Sequence, residues 1–181
     1  MRMSIETLNY FLALGTLVMQ VVTAGFLAVY FLRSRFPDLN DIGKMLGRWG
    51  IVLGLLLALS GIFFTLLYSE VLGFEPCFLC WWQRVFLYPQ AVIFAIALWN
   101  KESRRTAGLY SIWLSFFGSF FALYHHVMQV FPAGHLPCSA SGPSCAKITF
   151  IEFGYITYPM MALSLFAMLV VVQLFVRENR E

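Results

Sequence analysis

Five apolar runs, at residues 7–32, 49–69, 80–100, 106–130 and 154–176, constrain this chain more than any other feature. Each meets the roughly 20 residues a helix needs to cross a bilayer. A chain in hydrocarbon must pair its own backbone N–H and C=O groups, so such runs cross as helices. Over 181 residues the chain is 60% hydrophobic and only 12% charged, against about 45–50% and about 25% in a soluble domain. The expectation is an all-α membrane protein, one integral membrane domain over residues 1–181 with five spans. Nothing resembles a basic stripe for nucleic acid, and no glycine fingerprint for a dinucleotide is present. The first run reads as a span rather than a cleaved leader, because Arg33 and Arg35 follow it instead of preceding it.

Charge sets the expected orientation. Arg33, Arg35, Lys44 and Arg48 fall in the first connection, Lys101, Arg104 and Arg105 in the third, and Arg177 and Arg180 in the tail. Only Arg2 and Lys147 fall on the other side, with Arg84 inside a span. Lysine and arginine gather in cytoplasmic loops, so the N-terminus is expected outside and the C-terminus inside. The polar segment 36–44 reads as a cytoplasmic turn. All four cysteines then lie outside, where disulfides persist.

Cys77 and Cys80 form a CxxC pair at the mouth of the third run, a pattern that serves as a redox couple or half a metal site. Pro76 suits the first turn of a helix, which puts Cys77 at a helix N-terminus, where the dipole favours a thiolate. Cys80 lies three residues on and Arg84 four beyond that, on one face. An arginine inside a span is costly and is a functional candidate by default. The bland alternatives are a structural disulfide, half a zinc site, and an arginine that snorkels to the interface. Most tryptophans near the span ends, Trp81 and Trp82 among them, read as an interfacial belt.

Cys138 and Cys145 lie in the one long outer loop, 132–150, rich in Pro, Gly and Ser. A bridge between them would be either a static staple or an exposed disulfide of the readily exchanging kind. His135 and Lys147 neighbour them. His125 and His126 stand near the outer end of the fourth run, with Gln129 one turn beyond His125. One of the two histidines is expected to face the interior near Arg84 and Cys80, for packing or for proton transfer.

The string Cys77-Phe-Leu-Cys80-Trp-Trp-Gln-Arg84, followed by Tyr88-Pro89, resembles the DsbB/BdbC family of disulfide-forming membrane proteins. Tyr124-His125 with Gln129, the pair Cys138 and Cys145, and the segment from Gly154 to Pro159 are similar to further elements of that family. The resemblance covers about residues 47–176, and the short loop spacing is closer to the BdbC branch. It implies a DsbB-type four-helix bundle, to which residues 7–33 add an extra N-terminal helix. It implies a thiol:quinone oxidoreductase of the bacterial plasma (inner) membrane. A DsbA/BdbD-like thioredoxin-fold oxidase would reduce the Cys138–Cys145 disulfide, with Cys138 forming the mixed disulfide. The loop thiols would reduce Cys77–Cys80, and Cys80 would pass electrons to ubiquinone or menaquinone held near Arg84, with His125 and Gln83 close by. No metal site is implied.

Three rivals remain from the residues, the first a structural or transporter-like bundle with two inert disulfides, which the lack of internal repeats and broken helices disfavours. A vitamin K epoxide reductase-like enzyme shares a CxxC and quinone chemistry, but its CxxC generally follows the loop cysteines. A metal-binding protein with four thiolates, aided by His135, would need a ligand spacing that is not a standard zinc pattern.

Overall fold

The computed structural model describes residues 5–131 and 143–178. They form five helices: α1 (Ile5–Leu32), α2 (Pro37–Leu66), α3 (Phe78–Trp99), α4 (Arg104–Val130) and α5 (Tyr158–Glu178). Among the described residues the only β pairing is an isolated bridge, Glu152 with Ile156. α1, α2, α4 and α5 are each long and apolar enough to cross a membrane. The fifth helix, α3, carries the polar string Gln83-Arg84 at its start.

Helices α2, α3, α4 and α5 pack in a closed ring, each against its neighbours, and α1 lies outside it, mainly along α5. Helices in lipid gain little from hydrophobic burial and associate through close packing. Glycine allows it here. A Cβ on Gly118 of α4 would come within 2.5 Å of the Phe166 ring of α5, and one on Gly54 of α2 within 2.7 Å of Phe94 and Gln173. The rings these glycines admit, Phe94 and Phe166, are among the largest fully buried side chains. Outward faces carry large apolar residues such as Val21, Phe120 and Trp99, as a lipid-facing surface requires.

Polar side chains stitch the bundle. Ser111 donates to Gln90 Oε1 at 2.7 Å, and Gln173 Nε2 donates to the Gly50 carbonyl at 3.0 Å. Gln90 Nε2 also donates to the Phe86 carbonyl at 2.9 Å. Pro89 has no N–H, so the Val85 carbonyl loses its helical donor within α3. Pro89 lies in the helix interior.

The structure redraws two expected boundaries. The segment 36–44 is no turn: Pro37 opens α2 from its first turn, and the first connection shrinks to a tight corner closed by the Phe36 N–H on the Leu32 carbonyl. With its 30 residues, α2 is about 45 Å long and outruns the ~30 Å hydrocarbon core. The run expected at 154–176 begins as a helix only at Tyr158. Before it, Phe153 (φ 51°) and Gly154 (φ 79°) form a left-handed turn under the Glu152–Ile156 bridge.

The added helix α1 docks through polar groups. Gln20 Nε2 donates to Ser164 Oγ of α5 at 2.8 Å, and Gln20 Oε1 accepts from the Tyr155 hydroxyl at 2.7 Å. Asn9 accepts a hydrogen bond from Tyr68, in the π-helical turn Leu67–Val71 that ends α2. α1 thus contacts the segments that precede α3 and α5, and α5 itself.

Candidate redox site

The site is built at the N-terminus of α3. Cys77 is its N-cap, with extended backbone (φ −72°, ψ 170°), and its sulfur accepts the Cys80 N–H at 3.3 Å. Pro76 stands just before the cap, one residue earlier than its expected place in the first turn. Capping fixes the geometry of the pair, because the group that satisfies the orphan amide of Cys80 is the neighbouring thiol. Both cysteines are free, with their sulfurs 2.8 Å apart. Cys77 is buried and Cys80 half-buried.

His125 of α4 faces this pair. Its Nε2 lies 3.7 Å from Cys77 Sγ and 3.1 Å from the carbonyl oxygen of Cys145, while Nδ1 lies 3.2 Å from Gln83 Nε2. A donated amide proton from Gln83 leaves Nδ1 as the acceptor and places the ring proton on Nε2. That proton then points at both Cys77 and the Cys145 carbonyl. Gln129 completes this wall: Nε2 is 3.5 Å from His125 Nε2 and donates to the Lys147 carbonyl at 3.3 Å. Of Lys147, the backbone carbonyl joins the site, and the residue is exposed.

Cys77 caps α3 from outside the helix. The Cys80 thiol, hydrogen-bonded to it, is the main cause holding its own thiol well below the usual range. Burial opposes this, and His125 and the Cys80 N–H reinforce it. A helix N-terminus with such donors favours the thiolate, the form that performs exchange.

Cys145 is disulfide-bonded and buried. It packs in one cluster with Cys77, Leu79 and Met128, flanked by Cys80, Phe121 and Tyr124. The structure thus brings Cys77, Cys80, His125, Gln83 and Cys145 together. Cys138 and His135 lie outside the described residues.

Arg84 stands one turn deeper in α3, beyond Cys80. It is buried and does not snorkel; Nη2 donates to the Thr65 carbonyl of α2 at 2.9 Å, and the guanidinium lies 5.2 Å from the Trp81 ring centre. Thr65 Oγ1 also pairs with the Tyr88 hydroxyl at 3.1 Å. His125 is placed against Cys77, while Arg84 reaches toward α2. His126 turns away to Thr157 Oγ1 at 3.1 Å. Trp82, read as part of a belt, stacks parallel on Phe121 at 5.2 Å.

A quinone needs a donor for its carbonyl oxygen and a flat apolar wall. Arg84 supplies five N–H donors, of which the Thr65 bond takes one, and Trp81 supplies a ring face. The residues present fit such a group.

Sequence reasoning missed the anchor of Arg84, because Thr65 acts there through its backbone carbonyl, which no residue code reveals. It also missed Asn9, one polar residue among several in the first run, whose partner Tyr68 lies near the end of the second.

A capped CxxC facing an imidazole and a second, disulfide-bonded cysteine within a helical membrane bundle defines a dithiol–disulfide oxidoreductase. Residues 47–176 match the family model described as "Disulfide bond formation protein DsbB", and the chain belongs to that family. It is 38% identical over 113 residues to the SPbeta prophage-derived disulfide bond formation protein B of Bacillus subtilis, covering 62% of this chain and 75% of that protein. It is 32% identical over 137 residues to the probable disulfide formation protein C of Halalkalibacterium halodurans, covering 73% and 91%. It is 36% identical over 121 residues to the probable disulfide formation protein C 1 of Bacillus anthracis, covering 64% and 83%. No solved structure matches. The family match leaves out α1 and the first turns of α2.

Proposed function

We propose that this protein is a thiol:quinone oxidoreductase that reoxidises a soluble thioredoxin-fold oxidase of the DsbA/BdbD kind outside the cytoplasm. One observation carries the reading. His125 Nε2 stands between Cys77 Sγ and the Cys145 carbonyl, so the two cysteine couples meet at one buried imidazole.

The chemistry runs in series. A thiolate of the reduced partner attacks the Cys138–Cys145 disulfide at Cys138, and Cys145 leaves as a thiol. The second partner thiol resolves the mixed disulfide, so the partner leaves oxidised and the loop couple reduced. Cys145 then attacks a Cys77–Cys80 disulfide at Cys77, and Cys80 leaves. The thiol of Cys138 regenerates the loop disulfide by releasing Cys77. Re-forming the Cys77–Cys80 bond gives up two electrons and two protons, which a lipid quinone takes up when bound beside Arg84 and Trp81. The net change is one dithiol oxidised to a disulfide and one quinone reduced to quinol. A strongly oxidising partner, near about −120 mV, needs an acceptor stronger than glutathione.

In this reading His125 and Gln83 serve the thiols: Gln83 sets the tautomer, and His125 donates to the Cys77 sulfur as it becomes the leaving thiolate. The same scheme places the cysteines on the extracytoplasmic face of a bacterial plasma membrane, with the N-terminus outside, as the loop charges favour. The test is purified protein, a reduced thioredoxin-fold partner and a soluble quinone analogue, followed by quinone absorbance. Turnover is expected to vanish in Cys77→Ala and Cys80→Ala. Normal turnover in Cys80→Ala would overturn the relay.

A further inference from the structure

From the placement of three side chains we infer that the reduced form binds one thiophilic divalent cation, of the Zn2+ or Cd2+ type, through Cys77 Sγ, Cys80 Sγ and His125. Ligand atoms of these three residues all lie within 4.8 Å of one another. Metal–sulfur bonds of about 2.3 Å and metal–nitrogen bonds of about 2.0–2.1 Å in a tetrahedral site put ligand atoms roughly 3.5–3.8 Å apart. The Cys77 Sγ to His125 Nε2 distance is already 3.7 Å. The two sulfurs, at 2.8 Å, need to part by about 1 Å, which rotation of the half-buried Cys80 side chain supplies.

Two thiolates and an imidazole are the donor set such ions prefer. A divalent ion with two thiolates is neutral overall, so the complex avoids the cost of a net charge in a buried place. Any thiol still protonated releases its proton to solvent on binding, with no electron transferred. The outer shell is also present. For Nε2 to ligate, the ring proton moves to Nδ1, and a half-turn of the Gln83 amide offers its oxygen to hold it there, the usual support of a metal-bound histidine. Gln129 is buried, its Nε2 is 3.5 Å from His125 Nε2, and its Oε1 has no hydrogen-bond partner among the described residues. That amide is a ready oxygen donor at the edge of the cluster.

The site is gated by oxidation state. A Cys77–Cys80 disulfide offers no thiolate, so only the reduced protein takes the ion, and the bound ion keeps the pair from closing. This differs from a four-thiolate centre, since neither loop cysteine is used. It also stands apart from quinone chemistry, because it needs neither acceptor nor partner.

The test uses the full chain in detergent, with Cys138→Ser and Cys145→Ser so that the CxxC holds the only thiols. After phosphine reduction, Cd2+ is titrated and the ultraviolet thiolate-to-cadmium band is read. One ion per chain is expected, with no band after the pair is oxidised or in Cys77→Ser. His125→Ala is expected to weaken binding about tenfold or more. Cadmium NMR of the site with His125 intact reports two sulfurs and one nitrogen if the assignment holds, whatever the stability of the variant. No band at one equivalent, or a shift typical of sulfur and oxygen ligands with unchanged affinity in His125→Ala, would overturn it. Either failure leaves the electron relay untouched, because that is read from quinone absorbance.

Discussion

Replacing Arg84 by leucine should separate the two halves of the reaction. Arg84 is buried beneath Trp81 and donates to the Thr65 carbonyl at 2.9 Å. That carbonyl also accepts from Ser69 Oγ at 3.1 Å, so the substitution does not strand it. Among the described residues no acidic group pairs with Arg84, so removal of its buried charge further offsets the lost bond, and unfolding temperature should move little. The acceptor side should suffer more. A hydrogen bond from a charged donor is worth about 1.5–3 kcal/mol, and 1.36 kcal/mol is a factor of ten. The kcat/KM for quinone should therefore fall by about 10- to 150-fold. Stoichiometric exchange between the oxidised protein and reduced partner, measured by rapid quench without quinone, should keep its rate. Arg84→Lys should recover only part of the loss, since lysine lacks the planar fork. If kcat/KM for quinone in Arg84→Leu stayed within twofold of the parent, Arg84 would be a brace between α2 and α3 and no more.

Further predictions concern the thiols, the packing and the added helix. Because the Cys77 pKa is depressed, alkylation of Cys77 in the reduced protein should stay fast from about pH 8 to about pH 5, where an ordinary thiol near pKa 8.5 slows tenfold per unit; Cys80→Ala removes the largest cause and should restore the steep profile. By linkage, this thiolate stabilises the reduced fold above about pH 8.5 and loses that contribution as pH falls toward the depressed value, which denaturation of the reduced form at several pH values can check. Gly118→Ala places a Cβ 2.5 Å from the Phe166 ring and should cost about 1–3 kcal/mol by overpacking, while Gly15→Ala in α1, with nothing within 4 Å, should be neutral or slightly stabilising in thermal unfolding. Gln20→Leu removes bonds to Ser164 and Tyr155, each worth about 1 kcal/mol; faster amide exchange at residues 152–157, with quinone kcat/KM unchanged, is the expected result.

Much of this arrangement was readable in the residues, for definite reasons. Long apolar runs force helices in lipid, and a Pro-Cys at the edge of one marks a helix start, so α3 and its capped CxxC follow from local rules. Arg84 declared itself as a charge inside an apolar run. What the residues alone do not show depends on neighbours. The polar start of α2 looked like a turn because its charges interrupt the apolar pattern, yet Pro37 at the first turn opens a helix that outruns the hydrocarbon. Arg84 reaches a backbone carbonyl on α2, and His126 finds Thr157; neither pairing is local in sequence. The docking of α1 rests on single polar residues, Asn9 and Gln20, spaced along a helix that otherwise reads as featureless lipid-facing surface.

The handover between couples is tested most directly in the double variant Cys80→Ala, Cys138→Ala, which leaves Cys77 and Cys145 alone. Mild oxidation of the purified protein followed by non-reducing peptide mapping should recover a Cys77–Cys145 cross-link in most molecules. Free thiols at both positions, in protein that still migrates as a folded species, would contradict it.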